Sequence, residues 1–176
     1  LASLATTGAI DITSQGTTTL PSAVNAGGSV KLSVNDLDLT GTVTGSSVQI
    51  RTATATRGTV LGAASAGSLQ LSSAELSAIT TSGVLTIGDT AQTGAIAING
   101  TISSAANATG GLAIVNGVGG IAINAPITYT SGAGSLSLTA NGAGNSTGAI
   151  TDSNASLVMA TTLNLKAGGG IGTLAK

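Results

Sequence analysis

Apolar doublets, in which two Ile, Leu or Val residues flank one small or polar residue, recur along all 176 residues of the chain. In one series the doublet returns about every 27 residues, and a small polar residue usually follows it. This series consists of Ile10 and Ile12, Leu37 and Leu39, Leu69 and Leu71, Ile96 and Ile98, Ile121 and Ile123, and an imperfect copy at Ile150 and Asp152. A repeat of this length cannot bury its apolar face until a neighbour stacks on it, so the pattern predicts a solenoid.

A second series of doublets alternates with the first. It consists of Val30 and Leu32, Val48 and Ile50, Leu85 and Ile87, Leu112 and Ile114, Leu136 and Leu138, and Leu163 and Leu165. Apolar residues two apart have the period of a half-buried strand, and clusters of Gly, Asn, Ser and Thr between them are typical of turns. A third short strand is marked by Val43, Leu76, Ile102 and Ile127. The sequence therefore predicts an all-β parallel β-helix of about six coils, with both series forming inward core columns.

The small polar residues that follow the first series predict a column at one corner of the coil. They are Thr13, Thr40, Ser72, Asn99, Asn124 and Ser153. Two interpretations stay open: a ladder of side chains hydrogen-bonded from coil to coil, or turn residues that bond their own backbone. Asp152 would lie in the inward column beside Ile123, where an unpaired carboxylate is unfavourable, so we expect the strand to end early and Asp152 to lie in a turn.

Composition excludes several classes of function. Charged residues make up 6% of the chain and the net charge is -1, so no basic surface for nucleic acid is expected. Without His or Cys, neither a Ser-His-Asp or Cys-His arrangement nor the usual zinc site can form. The aspartate-containing glycine repeat of calcium-binding solenoids is absent, and the apolar runs are too short to insert into a membrane as helices. We therefore expect no catalytic, cofactor-binding or metal-binding residue, and no enzyme activity.

Paired carboxylates offer one enzymatic alternative, a carbohydrate-active β-helix enzyme. Asp11 and Asp38 each occupy the middle of a first-series doublet, so the repeat would place them on adjacent coils of one outward face. Strand residues that face water explain the same two carboxylates without any catalysis.

Several stretches resemble the repeat region of filamentous-haemagglutinin-like exoproteins, large bacterial surface adhesins exported by two-partner secretion. They include residues 69–80, which read Leu-Gln-Leu-Ser-Ser-Ala-Glu-Leu-Ser-Ala-Ile-Thr, residues 94–102, which read Gly-Ala-Ile-Ala-Ile-Asn-Gly-Thr-Ile, and residues 157–172. The resemblance implies a right-handed parallel β-helix, an extracellular or bacterial cell-surface location, and a role as the shaft of an adhesin. It transfers no catalytic residue. The secretion domain with its Asn-Pro-Asn-Gly-Ile signature is absent here, so an outer-membrane transporter would act on a longer parent protein.

We expect residues 1–176 to be a single β-solenoid segment of such a longer, repetitive protein. Its expected partners are neighbouring coils of the same chain or identical subunits stacked end to end. A host or cell-surface receptor or glycan is the expected external contact. A self-assembling extracellular filament subunit is the alternative to a shaft, because the exposed strand edges of open coil ends can pair with another chain.

Overall fold

The computed structural model describes residues 3–103, 108–130, 135–141, 147–152 and 154–172. Within these ranges the chain is built from short strands and one five-residue helix, α1 (Ser73–Ser77). The strands are β1 (Leu4–Thr6), β2 (Ile10–Leu20), β3 (Val24–Ala26), β4 (Val30–Leu39), β5 (Val43–Gly45), β6 (Val48–Arg51), β7 (Thr59–Leu61), β8 (Leu69–Leu71), β9 (Ile79–Thr81), β10 (Val84–Gly88), β11 (Ile96–Ile98), β12 (Ile102–Ser103), β13 (Gly111–Asn116), β14 (Ile121–Ile123), β15 (Ile127–Tyr129), β16 (Ser135–Ala140), β17 (Ala149–Asp152), β18 (Val158–Ala160), β19 (Thr162–Ala167) and β20 (Gly170–Gly172). The fold is all-β.

The strands of the described residues form four sheets, and every pairing between these strands is parallel. The seven-stranded sheet has the order β2-β4-β6-β10-β13-β16-β19, and the six-stranded sheet has the order β8-β7-β11-β14-β17-β20. A four-stranded sheet, β1-β3-β5-β9, and a three-stranded sheet, β12-β15-β18, complete the structure. Strands that are distant in sequence thus stack in register and in parallel, which is the arrangement of a parallel β-solenoid.

Aliphatic columns run through the interior because the inward residues of successive strands pair directly. Ile96 and Ile98 pair with Ile121 and Ile123, and all four are at most 5% exposed. In the seven-stranded sheet Ile87 pairs with Ile114, which pairs with Leu138, and all three are fully buried. Burying one such side chain contributes about 1.5–3 kcal/mol, so the columns are the main stabilising feature of the stack.

The structure corrects the membership of the first series. Ile10 and Ile12 pair with Val30 and Leu32 in the seven-stranded sheet, whereas Leu37 and Leu39 pair with Thr18 and Leu20. The physical reason is that β4, a long strand of 10 residues, carries a second-series doublet at its start and a first-series doublet at its end, and the 11-residue strand β2 pairs with it along both parts. One continuous strand therefore supplies both series in this part of the chain.

The spacing of paired residues along the seven-stranded sheet is not uniform. Ile10 pairs with Val30, Val30 with Val48, Val48 with Leu85, Leu85 with Leu112, Leu112 with Leu136, and Leu136 with Leu163, in steps of 20, 18, 37, 27, 24 and 27 residues. A period of about 27 residues thus describes the later part of the chain and not its beginning.

The long step contains an additional strand and the helix. Leu69 and Leu71, in β8, pair with Thr59 and Leu61 of β7, and it is β7 that pairs with Ile96 and Ile98. Leu76, predicted to mark a strand, lies in α1, and the strand paired with Val43 begins at Ile79 instead. A capping box explains the helix.

In this capping box Ser72 accepts a hydrogen bond from the backbone N–H of Glu75, and the Glu75 carboxylate accepts one from the backbone N–H of Ser72. The other carboxylate oxygen of Glu75 accepts the backbone N–H of Leu39, at 3.1 Å. The helix is therefore joined to the end of β4, and Ser72 serves as its N-cap.

Two predicted core residues near the end of the stack are not enclosed. Leu163 and Leu165 are 41% and 40% exposed, and Ile171 in β20 is 53% exposed. Each pairs with an inward residue of the preceding strand, but β19 and β20 have a described neighbour on one side only. At the other end of the seven-stranded sheet, Ile10 and Ile12 are half-buried for the same reason.

Candidate functional site

The predicted polar column is only partly assembled. The Asn124 side-chain amide donates to Oδ1 of Asn99 at 2.8 Å, which is a hydrogen bond between side chains of adjacent strand ends. The Asn154 amide continues this contact by donating to the backbone carbonyl of Asn124 at 3.0 Å. Ser153, the predicted member at this level, lies outside the described residues. A side-chain ladder between coils therefore exists at Asn99 and Asn124, and a side-chain-to-backbone bond joins Asn154 to Asn124.

The other members of the predicted column lie elsewhere. Thr13 belongs to the seven-stranded sheet, where it pairs with Ser33. Ser72 caps α1, and Thr40 is an exposed residue directly after β4. The column fails here because Thr13 and Thr40 follow doublets of the seven-stranded sheet, whereas Asn99 and Asn124 follow strands of the six-stranded sheet. At Ser72 a helix replaces the turn after β8.

The structure does not bring the candidate catalytic carboxylates together. Asp11 pairs with Lys31, and the Lys31 ammonium lies 3.7 Å from the Asp11 carboxylate. Asp38 is near the other end of β4 and pairs with Thr19. The predicted shared position of Asp11 and Asp38 on adjacent coils is therefore wrong, because these two residues lie in different halves of the long strands.

Asp152 lies in register with Ile123, but it is the last residue of β17 and is only half-buried. The strand does not end before it, contrary to the sequence-based expectation. Its Oδ1 accepts the backbone N–H groups of Asn154 and Ser156, at 3.0 and 3.1 Å. The carboxylate thus has two hydrogen-bond donors and closes the turn that leaves the strand.

One cleft was missed by the sequence analysis. We call it the Arg51 cleft; it has a volume of about 250 Å³, and its polar lining includes Thr13, Ser33, Arg51, Thr52, Asp89 and Gln92. The Arg51 Nε donates to the Ser33 hydroxyl at 2.9 Å, and Nη1 forms an ion pair with Oδ2 of Asp89. Oδ1 of Asp89 accepts the backbone N–H of Ala91 at 2.8 Å. The side chains of Arg51 and Asp89 remain 32% and 19% exposed, so the pair is accessible from the cleft.

A signal for this cleft is present in the sequence. Thr13, Ser33 and Arg51 each follow a doublet directly, and pairing of the doublets places the three residues in one outward column. Asp89 follows Gly88 at the end of β10, the next strand of the same sheet. The column becomes visible only when the doublet of Ile10 and Ile12 is assigned to the same sheet as that of Val30 and Leu32.

One wall of the cleft is the loop of residues 52–57, which hydrogen bonds hold in place. The Asn35 side chain accepts the backbone N–H of Thr54 at 2.9 Å and donates to the Thr54 hydroxyl at 2.8 Å. The Arg57 side chain donates to the carbonyls of Asn35 and Ser68. The Ala55 carbonyl accepts the backbone N–H groups of residues 93 and 94. Hydrogen bonds therefore hold this wall from both sides, from β4 and from the segment that follows β10.

Buried amides line the interior behind this corner. The Gln92 side chain is 2% exposed, and its Nε2 donates to the Thr59 hydroxyl at 3.1 Å and to the Gly94 carbonyl at 3.3 Å. Asn116 is fully buried, and its Nδ2 donates to the carbonyls of Gly94 and Gly120. These bonds satisfy backbone carbonyls where the chain turns from the seven-stranded to the six-stranded sheet.

Tyr129, the single aromatic residue, is fully buried, and its hydroxyl donates to the Ala108 carbonyl. Burial raises the pKa of this phenol above its ordinary value of 10.0. Above pH 10 the unfolded chain releases this proton before the folded chain does, so the free energy of unfolding should fall as pH rises, with a slope approaching about 1.4 kcal/mol per pH unit.

We therefore expect Tyr129→Phe to remove this alkaline component of the pH dependence. At neutral pH the variant should lose about 0.5–1.5 kcal/mol with the hydrogen bond, because the Ala108 carbonyl keeps its bond from the Gly111 N–H. Urea unfolding from pH 8 to 12 measures both effects. Equal alkaline slopes in the two proteins would contradict the expectation.

The described residues contain no group of three or more His, Cys, Asp or Glu that could hold a metal ion. In the same ranges no helix is long and apolar enough to cross a membrane. No family model matches the chain, and neither a curated protein nor a solved structure shows significant similarity to it.

Proposed function

We propose that this chain is a rigid shaft segment of a bacterial cell-surface or secreted fibre protein, with outward strand faces that serve as contact surfaces. The observation that carries the proposal is the seven-stranded parallel sheet, paired in register over continuous aliphatic columns. Strands about 4.8 Å apart give this sheet a height of roughly 30 Å. Such an architecture separates two points by a set distance and needs no reactive side chain.

The proposal includes the filamentous-haemagglutinin-like class of exoproteins, on the resemblance of residues 69–80, 94–102 and 157–172. We propose right-handed coiling, as that class implies and as the strong preference of parallel crossover connections for this hand favours. Export of the parent protein through an outer-membrane transporter, an adhesive role toward a receptor or glycan, and an extracellular location belong to the same proposal. Enzyme activity does not, since the carboxylate pair that motivated it is not formed.

Antibodies raised against the purified chain test the location. We expect them to label unpermeabilised cells that produce the parent protein, and we expect brief protease treatment of intact cells to remove the label. A cytoplasmic protein measured in parallel controls for cell lysis. Labelling that requires permeabilisation would contradict a surface fibre.

A self-assembling filament is a second candidate, favoured by the outermost strands β18, β19 and β20. Each pairs with a single described neighbour, and Leu163, Leu165 and Ile171 are 40–53% exposed there. A second copy stacked in register would cover them. Sedimentation velocity at rising concentration should then show association that Leu163→Thr weakens and Val84→Thr does not, since Val84 is 40% exposed but distant from this end. A monomer at every concentration would remove this candidate.

A further inference from the structure

We propose that the Arg51 cleft is a binding site for one neutral sugar ring of hexose size, such as a terminal hexose of a glycan. This inference deepens the contact-surface part of the proposed function and rests on it for the setting outside the cell. The site is distinct from the aliphatic columns and from the Asn99–Asn124 contact, because it is formed on the outward face of the seven-stranded sheet.

The polar groups of the cleft match vicinal hydroxyls, which both donate and accept hydrogen bonds. A guanidinium carries five N–H donors. Among the described contacts, Arg51 uses Nε for Ser33 and Nη1 for Asp89, which leaves the Nη2 group as a donor. Asp89 supplies carboxylate lone pairs, and the hydroxyl of Thr13 adds a group that donates or accepts. Donors and acceptors thus converge on one small volume.

Charge favours a neutral ligand over an ion. Arg51 and Asp89 already neutralise each other in a charge-assisted hydrogen bond. An anion bound to the remaining N–H groups of Arg51 would be repelled by the neighbouring Asp89 carboxylate, and a cation beside Asp89 would be repelled by the Arg51 guanidinium. A neutral polyol meets neither repulsion, since it can accept from the remaining N–H groups and donate to the carboxylate at the same time.

Size and rigidity point to a small ligand. At about 250 Å³ the cleft is smaller than the roughly 300–1,000 Å³ of pockets for drug-sized molecules. Its wall at residues 52–57 is held by the Asn35 and Arg57 side chains and by the Ala55 carbonyl, so little ordering is required when a ligand enters. Without an aromatic side chain in its lining the cleft lacks a stacking surface, and we expect millimolar affinity for a single ring.

The test is a ¹H–¹⁵N NMR titration of the isotope-labelled chain with the methyl glycosides of glucose, galactose and mannose. At least one of them should produce saturable shifts at the Arg51 side-chain Nε–H and at the backbone amides of Ala53, Ala91 and Gln92. Sodium sulfate serves as the anionic probe, and it should leave the Arg51 Nε–H unshifted.

Two substitutions of exposed alanines separate the cleft from the rest of the surface. Ala91→Leu projects a larger side chain into the cleft while keeping the backbone N–H that Asp89 accepts, and it should weaken binding tenfold or more. Ala64→Leu, in the turn between β7 and β8 and outside the cleft, should leave the affinity unchanged.

Three results would overturn the proposal: no saturable shift with any glycoside, equal affinity in the Ala91→Leu variant, or tighter binding of sulfate than of every sugar. These results are separable from failure of the proposed function. If antibodies label intact cells but no glycoside produces saturable NMR shifts, the sugar site is wrong and the surface fibre is not affected. If the chain binds a glycoside but the parent protein is confined to the cytoplasm, the surface fibre is wrong and the sugar site is not affected.

Discussion

Replacing Ile114 with aspartate is expected to unfold the seven-stranded sheet, whereas aspartate at the adjacent Ala113 should leave stability within about 0.5 kcal/mol of the parent. Ile114 is fully buried between Ile87 and Leu138, while Ala113 lies on the outward face and is partly exposed. A carboxylate at the inward position has no partner and is removed from water, at a cost of several kcal/mol. That cost is comparable with the whole stability of a typical domain, about 5–15 kcal/mol.

Far-UV circular dichroism and urea unfolding measure this difference. Ile114→Ala provides a graded variant, expected to lose about 2–5 kcal/mol through the cavity that it leaves. Because each strand contacts mainly its neighbours in a solenoid, the loss should spread from β13 toward β10 and β16. Equal destabilisation by Ala113→Asp and Ile114→Asp would show that the inward and outward faces have been assigned wrongly.

Substitution of Gly88 by alanine is expected to destabilise the chain by about 2 kcal/mol more than the same substitution at Gly67. The two glycines have nearly the same backbone conformation, with φ of +84° and +81°. Strain in the left-handed region, about 1–2 kcal/mol for an L-residue, therefore applies to both. At Gly88, however, a Cβ would lie 2.2 Å from the Val115 carbonyl oxygen and 2.9 Å from Cδ1 of Ile96, whereas at Gly67 it would meet nothing within 4 Å.

The excess loss at Gly88 thus reports the close approach of β10 to the next strand, as in other overpacked sites. Free energies of unfolding from urea denaturation of the two variants provide the comparison, and Gly67→Ala is the matched control for the backbone strain. Losses of the same size at both positions would show that β10 and β13 are not in contact at this level.

The alternation of apolar and polar residues predicted individual strands well. Ile96 and Ile98, Ile121 and Ile123, and Leu85 and Ile87 all lie in short strands with buried apolar residues on either side of a partly exposed one. This succeeds because a strand points successive side chains to opposite faces, and a few neighbouring residues are enough to reveal that period. The parallel stacking followed from the return of the same doublet along the chain.

Two local features went unrecognised although the sequence contains a signal for each. Ser72 and Glu75 form the serine-to-glutamate spacing of a capping box, yet the apolar Leu76 favoured a strand. Ser33 and Arg51 occupy the same position after their doublets, yet the assignment of Ile10 and Ile12 to another column hid Thr13 from this set.

The sequence by itself determined that the chain forms short parallel strands and which side chains in most of them face inward, because both properties depend on a period that is local. Tertiary structure alone decided which doublets pair. The long strands β2 and β4 shorten the sequence separation between the first paired residues of the seven-stranded sheet, and the insertion of β8 and α1 lengthens a later separation. It also created the Arg51 cleft. Ser33, Arg51 and Asp89 are far apart in sequence and meet only when three successive strands of the sheet are stacked.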